Sequence, residues 1–298
     1  MTRLSSTAAP VAVFNAPGSS RAIAQPGDVA ADRSFLARIA GPALNGAAAS
    51  WFVVAVLGQL MFVIYVIGFY GRAAVQGRFE TWNKVLPHGY VAGDTFGNLV
   101  VSLHLAFATV VIIGGALQLV PVVRWRFPTF HRWNGRVYLS SVVVMSIGGL
   151  IMVWTRGTVG DLSQHVAISI NALLIIGCAG MALRHALARR FDVHRRWALR
   201  LFLVVSGVWF FRIGLMLWIV ANQGPVGFDP VTFSGPFLTT LSFAQYLLPL
   251  AVLELYFRAQ RSTMAGTHLA MAASLMGFTL VTAGGIVAAT MLMWLPHL

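Results

Sequence analysis

Residues 104–138, HLAFATVVIIGGALQLVPVVRWRFPTFHRWNGRVY, and residues 165–200, HVAISINALLIIGCAGMALRHALARRFDVHRRWALR, read as one helical pair written twice. In each copy a histidine, His104 or His165, opens an apolar run and a basic turn follows it. A second histidine, His131 or His194, then stands two residues after a helix-capping type, Thr129 or Asp192, which is expected to start the next helix. The His-to-His spacings are 27 and 29 residues. This symmetry predicts a central four-helix unit, helices 2–5 of the chain, built as a tandem helix-pair repeat over about 97–155 and 162–221.

The surrounding composition sets the solvent. Of 298 residues, 58% are hydrophobic and only 10% charged, and the mean hydropathy is +0.77, which is the make-up of a multispanning membrane protein. A net charge of +13 would suggest nucleic acid in a soluble chain. Here the arginines gather in short loops between apolar runs and read as topology signals, so no nucleic-acid partner is expected. Cys178 is the only cysteine and lies inside an apolar run, which excludes an intrachain disulfide and a thiolate metal cluster. Abundant Ala and Gly, with arginine nearly replacing lysine, suggest a bacterial inner-membrane protein.

Residues 1–45, rich in Ala, Ser, Pro and Gly, are expected to form a disordered cytoplasmic tail, with a short amphipathic helix near Ser34 to Ala40. Residues 46–298 then form the transmembrane domain, an all-α polytopic bundle of about seven helices. Its apolar stretches fall near 47–70, 97–123, 137–155, 162–183, 200–221, 237–257 and 269–295. The fourth and sixth carry Gln164, Ser169, Asn171, Gln245 and Glu254, and should turn a polar face to protein. Placing the N-terminus in the cytoplasm leaves only Arg72, Arg78, Lys84 and Arg156 outside and Arg212 within a helix, with the other sixteen cationic residues inside. The C-terminus is then external. A rhodopsin-like chain would carry a retinal lysine in its last helix, and a membrane zinc hydrolase would place paired histidines there; this chain does neither.

In that topology His104 and His165 lie toward the outer face, and His131 and His194 at the inner face, offering one His-His couple per leaflet. Bis-imidazole ligation of haem iron needs two neutral rings from facing helices, with small residues to admit the macrocycle. Ala108 and Gly115 continue the His104 face, and Ser169, Ala172 and Ala179 the His165 face. Helix N-termini and neighbouring arginines favour neutral rings at His131 and His194. Arg136 and Arg200 stand nearby to meet haem propionates or an anionic donor. Arg212 lies 18 residues after His194, five turns or about 27 Å further out on the same face. It is expected to pair with a propionate of the outer haem. His88, His185, His268 and His297 fit no pair and read as interfacial, and Trp125, Trp133, Trp197 and Tyr138 as interface aromatics.

The segments Gly115-Ala116-Leu117-Gln118-Leu119, His131-Arg132-Trp133 with Gly135-Arg136-Val137-Tyr138, and Asp192 with His194-Arg195-Arg196-Trp197 and Arg200 resemble a bacterial membrane family, domain of unknown function 2306, over roughly residues 50–260. The family label implies no activity. More distantly, four histidines on four consecutive helices resemble the transmembrane di-haem b cytochromes of the ascorbate-dependent ferrireductase type. That likeness implies one or two haem b groups, held by His104 with His165 and by His131 with His194, in a transmembrane oxidoreductase fed by a quinol or small anionic donor. The chain departs from the likeness in having seven helices rather than six and its inner histidines in basic loops. A non-redox transporter or a small-ligand or scaffold module is the alternative from another class. Oligomeric state is not specified by the sequence.

Overall fold

The structure, a computed structural model, describes residues 26–157 and 160–298. Its helices are α1 (Pro26–Tyr65), α2 (Arg72–Val75), α3 (Thr95–Leu119), α4 (Pro121–Arg126), α5 (Pro128–Met152), α6 (Leu162–Leu187), α7 (Phe191–Val205), α8 (Gly207–Asn222), α9 (Pro236–Arg261) and α10 (Ala265–Ala289). Three π-helical turns, Val66–Gly71, Val153–Gly157 and Thr290–Trp294, extend α1, α5 and α10. Among the described residues the only β contact is one isolated bridge, Asp229 with Ser234. Six helices are long and apolar enough to cross a bilayer, and α7 with α8, bent by 48°, passes the same test as a pair, a seventh span where the pair counts as one. Apolar side chains such as Val53, Leu57, Leu60 and Ile64 form an exposed stripe along α1, as a lipid-facing surface requires. The chain is a multi-pass α-helical membrane protein.

Spans alternate in direction, so the ends of α3, α6 and α9 and the starts of α5, α7 and α10 share one face, where Arg124, Arg132, Arg184, Arg195 and Arg258 also lie. This is called the basic face below. α1 and α10 run parallel and in contact: Leu44 and Ala47 pack with Met271 and Leu275, and further along Phe62 meets Trp294. Small residues set these approaches. A Cβ on Gly285 would stand 2.9 Å from the Ile213 carbonyl oxygen of α8.

The α3–α5 hairpin explains the motif that dominates the first repeat. Asn134 donates from Nδ2 to the Gly114 carbonyl (2.9 Å), and Gln118 from Nε2 to the His131 carbonyl (2.9 Å). A Cβ on Gly115 would lie 2.9 Å from the Tyr138 ring, so the glycine lets that ring lie on α3. Tyr138 is therefore buried between helices, not an interface aromatic.

The helix starts differ from expectation. α5 begins at Pro128 and α7 at Phe191, so Thr129 and Asp192 sit inside the first turns and cap nothing. Pro128 has its φ preset for the first helical position, and Arg189, at φ 55°, makes the turn between α6 and α7. The helices run past the hydropathy boundary, and His131 and His194 fall in first turns instead of loops. Residues 1–25 of the expected tail lie outside the described residues, and residues 26–45 are the start of α1.

Gly285→Ala should lower the melting temperature of purified protein, since a backbone oxygen cannot yield and overpacking costs about 1–3 kcal/mol. Gly177→Ala meets nothing within 4 Å and should leave it unchanged or raise it.

Candidate functional site

Two Gly-Asp pairs fix the far ends of α3 and α6. Gly93 (φ 82°) and Gly160 (φ 112°) take the left-handed turn, and Asp94 and Asp161 then cap the helices, accepting from Gly97 N (2.9 Å) and Gln164 N (3.1 Å). Arg156, at the end of the α5 span, locks the first cap. It donates to Asp94 Oδ2 through Nε (3.0 Å) and Nη2 (2.7 Å), to Asn98 Oδ1 and to the His88 carbonyl.

These caps set the depth of the histidines that face away from the basic end. His104 is the tenth residue of α3 and His165 the fourth of α6, so with level caps they differ in depth by about 9 Å. Their neighbours differ too. The His104 ring comes within 3.7 Å of the Cβ position of Gly149 on α5, and its Nδ1 is buried without a partner. His165 packs edge-on against Trp154, ring centroids 6.2 Å apart.

His131 and His194 are each the fourth residue of their helix, and they lie close enough for the charge of one to act on the other. His194 Nδ1 is 2.8 Å from the Ala182 carbonyl oxygen, which makes Nδ1 the donor and leaves the lone pair on Nε2. His131 Nδ1 is buried without a partner, and Arg124 is close enough for its charge to act on that ring. Among the described residues no three of His, Cys, Asp and Glu converge as a metal cage; a bis-imidazole site needs only two ligands.

The arginines divide. Arg200 is held by Glu254 (2.6 and 2.7 Å) and lies over Trp197 and Phe257. Arg136 lies over Trp133 at 4.8 Å. Arg212 donates to the Val208 carbonyl (3.2 Å) and sits 5.2 Å above the Phe62 ring, with His104 and Tyr65 within reach of its charge.

A polar belt at the α7–α8 bend went unread in the sequence. Gln59 of α1 donates to Ser206 Oγ (2.9 Å), and Ser206 in turn donates to the Phe202 carbonyl (2.7 Å). A Cβ on Gly207 would lie 2.9 Å from Asn171 Nδ2 and 3.6 Å from Gln245 Oε1. Asn171 and Gln245 are each the tenth residue of their helices, both entering from the far face. The amide oxygens of Gln59, Asn171 and Gln245 are buried without partners. The signal was the Ser206-Gly207 pair inside an apolar run, a frequent place for a kink.

The fold and these clusters define a multi-pass helical bundle with polar groups gathered at both faces and at one bend. The family model described as Predicted membrane protein (DUF2306) matches residues 101–248, from α3 into α9, a stretch that carries all four paired histidines and Arg212. No curated protein and no solved structure matches the chain, di-haem cytochromes included.

Hydrogen bonds from Arg156 and from Gly97 N hold the Asp94 carboxyl below the usual carboxylate range. A depressed carboxyl contributes stability that is present above its unfolded value, about 3.9, and is lost as pH falls through the lower folded value. Melting temperature should therefore fall as the wild type is acidified below about pH 4. Asp94→Asn, which keeps a capping side chain, should show a shallower fall; identical slopes would separate Asp94 from acid stability. Asp161, lowered by Ser163 and Gln164, remains to give the variant its residual slope.

Proposed function

We propose that the protein is a membrane electron carrier that holds one b-type haem between His131 and His194, with the basic face in the cytoplasm. The supporting observation is the level pair itself. His194 presents Nε2 because the Ala182 carbonyl occupies Nδ1, and His131 keeps a buried Nδ1 that nothing in the bundle satisfies. Two neutral imidazoles so prepared suit a low-spin haem iron. Arg124 beside His131 supplies a cation for a propionate. When bound, the haem supplies one-electron chemistry. The chain fixes the ring tautomer, keeps the Arg200–Glu254 pair closed beside it, and presents basic side chains to a quinol or small anionic donor. His104 and His165 form no second couple in this reading, because they turn to α5 and to Trp154 at different depths.

A second reading, a non-redox small-ligand or transport module, draws on the polar belt at the α7–α8 bend. Broken membrane helices with polar groups gathered at the break are how many transporters build a binding site.

One spectrum separates the two. Protein purified in mild detergent from haem-replete cells should show a low-spin b-type spectrum that sharpens on dithionite reduction. His131→Ala and His194→Ala should each abolish it, and His165→Ala should not. A folded but colourless wild type overturns the haem reading and leaves the second.

A further inference from the structure

We infer that the face opposite the basic one carries an oxyanion-binding site, in a cavity of about 290 Å3 lined by Arg72, Arg78, Lys84, Thr81 and His297. Three of the four cationic residues that the sequence assigns to that face meet in this one cavity, and the fourth, Arg156, is spent on Asp94. No carboxylate lines it; Glu80, on the same turn as Lys84, is exposed and is not a lining residue. Among the described residues Arg72, Arg78 and Lys84 have no acidic partner. Arg78 instead donates to Gln76.

The cavity is built by chain segments that the fold holds firmly. The π-helical turn Val66–Gly71 at the end of α1 and its counterpart at the end of α10 contribute Val66, Phe69, Tyr70 and Trp294 to one buried cluster, and such turns recur at functional sites. His297 packs edge-on against Phe69, centroids 5.4 Å apart. Its Nδ1 is 2.7 Å from the Met293 carbonyl oxygen, so Nδ1 donates there and that bond fixes the ring at the cavity wall. Trp82 anchors the loop with Lys84 by donating to the Tyr70 carbonyl (3.1 Å).

Behind the cavity the same chemistry continues inward. Phe69, a lining residue, stacks on Tyr65 (5.9 Å), Tyr65 on Phe62 (6.0 Å), and Arg212 lies over Phe62. Along this aromatic file the Trp294 indole N–H, in a residue 0% exposed, has no hydrogen-bond partner. Guanidinium, ammonium and indole N–H can only donate. A region rich in donors and cations and lacking carboxylates recognises an acceptor-rich anion, and charge-assisted bonds to carboxylate or phosphate oxygens are the strong ones available to it. The ligand is either a free oxyanion or the phosphate of an anionic lipid headgroup, since the cavity lies where water and headgroups meet. The site is remote from His131 and His194, so a colourless protein leaves it untouched.

The test is thermal melting of the full chain in neutral detergent, titrated separately with inorganic phosphate, succinate and micelles doped with phosphatidylglycerol, at ionic strength fixed by sodium chloride. At least one probe should raise the melting temperature saturably where chloride does not. A response to the soluble anions identifies a free ligand, and a response to phosphatidylglycerol alone identifies the headgroup. The double variant Arg78→Gln, Lys84→Gln changes exposed residues, so it should melt like the wild type without ligand and bind about tenfold or more weakly. The inference is overturned if no probe gives a saturable shift, or if the double variant responds as the wild type does.

Discussion

Water is missing from the hydrocarbon layer, so a polar group inside this bundle either finds a protein partner or waits for a ligand. Most find partners close at hand. Ser146, Ser206, Ser242 and Thr279 each turn back to the carbonyl one turn earlier. Asn134 and Gln118 do the same work across the α3–α5 contact, where an unpaired amide would cost more than the two hydrogen bonds contribute. The atoms left over are therefore informative. They include His131 at the basic face, the amides of Gln59, Asn171 and Gln245 at the α7–α8 bend, and His104 and Trp294 near the far face.

Charge obeys the same constraint with a different outcome on each side. The protein has 21 cationic and 8 acidic residues, so most arginines cannot meet a carboxylate. At the basic face the excess faces water or headgroups, where it orients the chain. Arg200 is drawn in by Glu254 and covered by Trp197 and Phe257. At the far face Arg156 takes the Asp94 cap, and the remaining cations converge on one cavity. Arg212, deeper still, is offered a carbonyl and a ring, partners weaker than an anion.

The helical, multi-pass architecture of six or seven spans was legible in the sequence because hydrophobic length against bilayer thickness leaves few alternatives. Helix starts were not. A hydropathy window ends at His131-Arg132 and at Arg195-Arg196, yet the backbone is already helical there, since long basic side chains at a helix end reach the interface without unwinding it. The belt at Ser206 was hidden for another reason. Gln59, Asn171 and Gln245 stand on three helices distant in sequence, and only packing reveals that they face the same bend. Arg72, Arg78 and Lys84, read singly as topology signals, were close enough in sequence to suggest a common loop, but His297 enters that cavity from the other end of the chain.

Repetition in sequence did not carry over to symmetry in the sites, and the caps say why. His131 and His194 are each the fourth residue of a helix, so they come out level. On the other side, His165 follows His104 by 61 residues, but Asp161 follows Asp94 by 67. The second helix therefore starts later relative to its histidine, and His165 stays near the surface while His104 is carried inward. Once at that depth, His104 finds Gly149 open beside it and Arg212 within reach, whereas His165 remains with Trp154 and its own cap. A shift of six residues in where two otherwise similar helices begin is enough to set His104 and His165 at different positions in their helices, while His131 and His194 keep the same one.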